Sequence, residues 1–277
     1  MKKDVKNKIL FTAQDPGGFN ALCPVIKKIM KGCMDVKVCL ANESRDIAKR
    51  NKINYLDCTN ISDRKLEKLI NEFRPDIAVV ATSDGLSVEK KITAWAKSKN
   101  IKTISIIDFW SNYKMRFSNP GTHDLAYMPN AICIIDKYMK KEMLEQGFEE
   151  SQLYITGNPF FDLFKTRRSA QAKYILFASQ PFSEIEYETN KAVNSPFFNE
   201  VDIFADYVKI LKGLKVKQPI FIALHPRCKK RDKYNKIIAK SELNISVAKD
   251  GTEDLINGAE LVIGINTMVL FQAAMIG

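Results

Sequence analysis

Two hydropathy periods alternate along this chain. Short apolar runs are separated by stretches whose apolar residues recur every three to four positions. The runs Lys8–Ala13, Val36–Ala41, Ile77–Thr82, Lys102–Ile107, Ala131–Ile135 and Leu153–Thr156 predict strands, with a weaker one at Tyr55-Leu56. The intervening stretches 17–30, 43–50, 63–73, 88–98 and 137–146 predict helices. Strand–helix alternation of this kind implies a parallel sheet with helices on both faces. The polar stretch 166–171 breaks the pattern and reads as a linker. Alternation then resumes, with strands predicted at 174–178, 219–224, 245–248 and 261–263 and helices at 201–214, 231–241, 252–257 and 267–276. A long loop, 180–199, precedes the first of these helices, and loops of that length are usually functional.

The expectation is therefore an α/β protein of two Rossmann-like domains, 1–168 and 169–277, with parallel sheets and a ligand cleft between them. The second domain has only four predicted strands and ends short, directly after a helix.

Composition narrows the function classes. Of 277 residues, 45% are hydrophobic and 27% charged, a globular balance. No apolar run reaches the ~18–20 residues needed to span a bilayer, and the N-terminus lacks a signal-peptide core, so a cytoplasmic protein is expected. Six cysteines without a C-x-x-C pair, and only two histidines, disfavour a zinc site or disulfide framework and suggest buried thiols. The net charge of +11 is uneven: 209–240 holds eleven Lys or Arg against Asp232 alone. One basic block fits a phosphate-bearing ligand, peripheral contact with an anionic membrane, or solvated helix faces. Nucleic acid is disfavoured, because the block lacks interleaved aromatics.

Candidate chemistry lies in the strand-to-helix turns. Asp15-Pro16-Gly17-Gly18-Phe19-Asn20 follows the first strand. Its glycines allow a tight turn with helix N–H groups facing a ligand, and Asp15 could act as a base or simply cap the helix. The absence of G-x-G-x-x-G argues against NAD. Ser83 and Asp84 belong to a hydroxyl-rich turn that suits either capping or sugar recognition. Asp108, Trp110, Asn112 and Arg116 form an aromatic and polar loop after a buried strand, suited to stacking on sugar rings and bonding their hydroxyls. Asn158 lies in a Gly-Asn-Pro turn. His225 and Arg227 sit inside the basic block, where they could bind phosphate. Gly251–Asp254 and Asn266-Thr267 are helix starts, the second a plausible pyrophosphate seat, and Gln272 lies further along the last helix.

Together these residues resemble a glycosyltransferase of the GT-B fold. More loosely, they resemble the superfamily that also holds the UDP-N-acetylglucosamine 2-epimerases. Thr156-Gly157-Asn158-Pro159 is similar to the turn before the second domain in the epimerases and in the lipid A and Kdo transferases. His225-Pro226 resembles the His-Pro motif of bacterial sialyltransferases and polyol-phosphate transferases, and 266–277 resembles a donor-site helix. The resemblance implies metal- and cofactor-independent transfer from a nucleotide sugar to a saccharide or lipid-linked acceptor in surface-polysaccharide or glycolipid synthesis. His225, Arg227, Asn266 and Thr267 would meet the donor phosphates, and Asp15 or Asp108 would deprotonate the acceptor. Gln272 stands where many such enzymes place a ribose-holding Glu. The epimerases' Arg-Pro-Glu turn is absent from 9–20, which disfavours epimerisation. A nucleotide-sugar epimerase and a non-catalytic nucleotide-sugar binder are the alternatives.

Overall fold

Alternating side-chain burial organises the first sheet in the computed structural model of the chain. The structure describes residues 7–164, 173–184, 199–225, 228, 230–249 and 255–277. Strand β1 (Lys8–Ala13) turns Ile9, Phe11 and Ala13 into one apolar layer and Leu10 into another. Helix α1 (Pro16–Met30) closes the first layer through Phe19, Leu22 and Ile26, and α2 (Ser44–Arg50) adds Ile47. On the opposite face, α3 (Asp63–Phe73) contributes Leu66, Ile70 and Phe73, a stripe at helical spacing. Helix α4 (Val88–Ser98) adds Val88, Ile92 and Trp95. Both faces of β1 are thus covered, which explains its nearly continuous apolar sequence.

The chain divides into two compact units, Met1–Leu163 and Phe164–Gly277. Unit 1 carries a seven-stranded sheet in the order β3-β2-β1-β4-β5-β6-β7. Its other strands are β2 (Asp35–Leu40), β3 (Leu56–Asp57), β4 (Ile77–Val80), β5 (Lys102–Ile106), β6 (Ala131–Ile134) and β7 (Leu153–Ile155), and every pairing is parallel. The order reverses between β1 and β4, and such a switch point opens a crevice at the carboxyl ends of the strands. Helices α5 (Tyr113–Phe117) and α6 (Lys137–Glu145) complete the unit. The aromatic stretch after β5 was expected as loop. Its middle is helical because Tyr113 and Phe117 bury one turn apart in a third apolar cluster, beside Met139 and Met143 of α6.

Unit 2 repeats half of this plan. Strands β8 (Tyr174–Ala178), β9 (Ile220–Ala223), β10 (Ile245–Val247) and β11 (Ala259–Gly264) form a parallel sheet in the order β10-β9-β8-β11. Helix α7 (Glu200–Gly213) packs Phe204, Val208 and Leu211 on one face, with α8 (Asn235–Lys240) alongside. Leu255, Ile256 and Ile276 of α9 (Met268–Ile276) cover Leu176 on the other face. Helix α8 is shorter than the expected 231–241, because Arg231–Tyr234 form turns. The expected linker, most of the 180–199 loop, Arg227 and 251–254 lie outside the described residues.

All six cysteines are free thiols. Cys33 is exposed, unlike the buried thiols expected, because it lies in the turn between α1 and β2. Among the described residues no helix is long and apolar enough to cross a membrane.

Candidate functional site

In unit 1 the carboxyl ends of β1, β4 and β5 bring several expected residues together. Pro16 opens α1, where its missing N–H costs nothing. Asp15 occupies the N-cap position, but its side chain accepts no cap hydrogen bond. Gly17 lies directly beneath Asp108: a Cβ there would collide with Asp108 Oδ2. Gly18 is packed on β4's continuation, where a Cβ would sit 2.7 Å from Ala81 Cβ. Asn20 is half-buried further along α1. The two glycines therefore let the start of α1 approach the ends of β4 and β5. Gly18→Ala should cost about 1–3 kcal/mol, because the clash is with a rigid neighbour rather than a flexible side-chain tip. Urea denaturation reads this directly, and an unchanged midpoint would contradict the packing.

Asp108 is held from both sides. Arg116 Nη1 donates to Asp108 Oδ1 at 2.9 Å, and both side chains are largely buried. The same guanidinium donates to Thr82 Oγ1 at 2.8 Å, to the Thr82 carbonyl at 3.3 Å and, through Nε, to the Ser111 carbonyl at 3.0 Å. Asn158 Nδ2 donates to the Asp108 carbonyl at 3.1 Å, while Asn158 Oδ1 accepts from Phe160 N–H. Arg116 thus ties the β4 and β5 turns together, and Asn158 adds the turn after β7.

Other expected residues have local roles. Trp110 stacks near Phe161 and donates its indole N–H to Asp136 at 2.8 Å. Asn112 is exposed, in left-handed conformation at the N-cap of α5. Exposed Asp84 accepts from Gly85 N–H, and Ser87, not Asp84, caps α4. Ser83 is buried, and its hydroxyl donates to Glu89 Oε1 at 2.8 Å.

Glu89 is the residue that sequence reasoning missed. It is 2% exposed, and Oε1 also accepts from Gln14 N–H at 2.8 Å. Burial pushes its carboxyl above the ordinary range, and nearby Asp15 adds to the rise against the hydrogen bonds it accepts. A signal existed: Glu89, Ile92 and Ala96 share the buried side of α4 at helical spacing.

In unit 2 the switch point lies between β8 and β11. There the Gln180 side chain grips the backbone of Asn266: Oε1 accepts from Asn266 N–H at 2.7 Å, and Nε2 donates to the Asn266 carbonyl. Gly264 lets this end close up, since a Cβ would meet Thr267 Cγ2 at 2.9 Å. Thr267 caps α9, accepting from Val269 N–H at 3.3 Å. Gln272 is buried on α9, and its Oε1 has no hydrogen-bond partner among the described residues. His225 is half-buried just beyond β9, with its carbonyl accepting from Cys228 N–H at 2.9 Å.

The basic block is partly consumed by internal pairing. Lys233 is buried between Glu200 at 2.6 Å and Glu184 at 3.0 Å. Glu200 is fully buried and also accepts from the N–H and hydroxyl of Ser183, at 2.9 and 2.7 Å. This cluster joins the segment after β8 to the turn before α8. Lys209 pairs with Asp206 and Lys212 with Glu242, both in solvent, where such pairs contribute little. Of these three lysines only Lys233 is withdrawn from the surface.

No protein-family model matches the chain, and no curated protein matches it in sequence. Solved structures do match it in fold. The S. aureus MnaA–UDP complex superposes with a TM-score of 0.70 at 12% identity, covering 96% of this chain and 76% of that one. The UDP-GlcNAc 2-epimerase from Neisseria meningitidis, bound to UDP-GlcNAc, gives 0.62 at 14% identity, covering 94% and 77%. MurG from Acinetobacter baumannii gives 0.55 at 13%, covering 98% and 76%. The fold is that of the GT-B and UDP-GlcNAc 2-epimerase-like proteins, with a Rossmann-like sheet in each unit.

Proposed function

We propose that the chain is a nucleotide-sugar enzyme that moves the sugar to an acceptor hydroxyl. The observation that carries this reading is the fold shared with structures solved holding UDP and UDP-GlcNAc, with a built carboxyl end in each unit. In unit 2, His225 and Arg227 would take the donor phosphates together with the Asn266-Thr267 turn, where Gln180 fixes the backbone. Gln272, in this reading, serves the donor ribose. In unit 1, Asp15 or Asp108 is the carboxylate assigned to deprotonate the acceptor, with Arg116 bonded to Asp108. Arg116 and Asn158 then act by shaping the turns around them. Saccharide or lipid-linked acceptors fit this reading, as does residence in the cytoplasm or at the inner membrane face.

Epimerisation is the second reading, favoured by the higher TM-scores of the epimerase structures than of MurG. Melting curves with UDP, UDP-GlcNAc, and CMP, CDP and GDP sugars test the shared premise. A ligand at a hundred times its Kd should add about 2.7 kcal/mol of stability. A flat response to every nucleotide would sink both readings. Solvent deuterium entering sugar C2 without an acceptor would identify the epimerase, whereas sugar transfer requiring an acceptor would identify the transferase.

A further inference from the structure

Glu89 is a buried acid, and among the described residues no cation bonds to its carboxylate, although Lys90 attracts it through space. Gln14 N–H and the Ser83 hydroxyl both donate to Oε1, whereas Oε2 is buried without a hydrogen-bond partner among the described residues. Thr12 Oγ1 is buried and unpartnered in the same sense, and Thr12 shares the Leu10 face of β1, against which α4 packs. The charged groups around Glu89 do not neutralise it. Asp15, from the β1–α1 turn, is a like charge. Lys90, next on α4, turns its ammonium to the Gly85 carbonyl at 2.6 Å and the Met115 carbonyl at 3.0 Å. Arg116, on α5, is spent on Asp108 and Thr82. An ionised carboxylate with one oxygen buried and bare is costly, while a neutral acid at the same place is far less so.

We propose that Glu89 is the positioning residue of this end of the sheet, a neutral carboxylic acid that ties the β1–α1 turn to the β4–α4 loop and so sets where Asp15 stands. Two hydrogen bonds from two different turns converge on one oxygen, directly before Asp15 in one case and beside Thr82 in the other. Loss of the proton leaves both bonds to Oε1 but places a second negative charge near Asp15, which repels an anionic ligand at this end. Ligand binding at this end is therefore favoured while Glu89 keeps its proton and weakens as pH rises through its raised value. The binding part of this inference rests on the proposed nucleotide-sugar function; the protonation part does not.

The sign of the linkage sets the test. A folded-state value above the ordinary 4.5 means that the folded protein holds a proton the unfolded chain has lost. The stability this proton confers is complete below about pH 4.5 and declines as pH rises towards the folded value. Glu89→Gln keeps a neutral acceptor for both donors and carries no titration. Its melting point should equal that of the wild type near pH 5 and exceed it by several degrees near pH 8. Parallel melting profiles over that range would overturn the neutral-acid assignment, whatever the ligand. In the second arm, UDP-GlcNAc is the probe. Affinity should fall as pH is raised above 4.5 in the wild type, stay flat in Glu89→Gln and be weak throughout in Glu89→Ala. Equal damage in Glu89→Gln and Glu89→Ala would overturn the positioning role. If UDP-GlcNAc binds none of the three, the functional reading fails while the melting comparison still decides the state of Glu89.

Discussion

Replacing Glu200 by Ala should lower the stability of unit 2 by about 1–3 kcal/mol, the usual cost of leaving buried donors without an acceptor. The variant leaves the Lys233 ammonium with Glu184 alone and removes the acceptor of both Ser183 donors. Glu200→Gln should lose less, since it still accepts from Ser183. Burial alone would push the Glu200 carboxyl up, but Lys233 and Ser183 outweigh it and hold it below the ordinary range. Burial likewise opposes the Lys233 charge, yet the two glutamates hold it above its ordinary range. The signs bracket a window. Stability linked to Glu200 is present above the ordinary value of 4.5 and is lost as pH falls through the depressed one. The Lys233 contribution is complete below 10.5 and is lost only above it, as pH rises through the raised value. The wild-type excess over Glu200→Ala should therefore be level from about pH 5 to 10 and shrink on the acid side. Urea titrations of the two proteins across pH measure it. An excess below about 1 kcal/mol at pH 7 would show the cluster to be energetically idle.

Arg116→Ala should damage unit 1 in two readouts at once. It removes four hydrogen bonds to three residues and leaves a largely buried Asp108 without its cation. A loss of about 2–4 kcal/mol in unfolding free energy follows from the stranded carboxylate and the orphaned carbonyls. In the proposed function, sugar turnover should fall by about a hundredfold or more, because the turn that carries Asp108 also packs on Gly17 beside Asp15. Arg116→Lys should recover only part of either loss. A lysine ammonium can meet Asp108 but cannot span Asp108, Thr82 and Ser111 as the planar guanidinium does. Wild-type stability and turnover in Arg116→Ala would remove Arg116 from the site.

The strands and most helices were legible because parallel strands buried on both faces are apolar runs, and because α3 shows a clean stripe of Leu66, Ile70 and Phe73. Turns were legible where backbone chemistry demands a residue, as at Pro16 and Gly17-Gly18. What escaped notice were acids that look like helix-dipole partners. Glu89 and Glu200 both stand in the first turn of a helix, where an exposed Glu is ordinary. Yet Glu200, Phe204, Val208 and Leu211 trace one buried stripe, and Glu89 begins another. Their partners, Gln14, Ser83, Ser183 and Lys233, come from other turns, and one-dimensional spacing does not encode such meetings. In the aromatic stretch, Trp110 reads as a surface for sugar rings, and the structure shows its indole N–H donating to Asp136 and its ring against Phe161, contacts that local sequence spacing does not encode.

The strand orders also govern how the chain can be made. In each sheet the strand that comes first in sequence, β1 or β8, takes an interior place with a neighbour on either side. During synthesis β1 must wait for β2 and then for β4, whose register begins at Ile77, before both its edges are satisfied. β8 waits longer, because its second neighbour is β11, starting at Ala259. A ribosome adding roughly 5–20 residues each second thus leaves the apolar β8 half-paired for several seconds. Unit 2 is accordingly the part of this protein expected to depend most on chaperones, and a slowed codon between β8 and β11, by lengthening that wait, should lower the soluble yield.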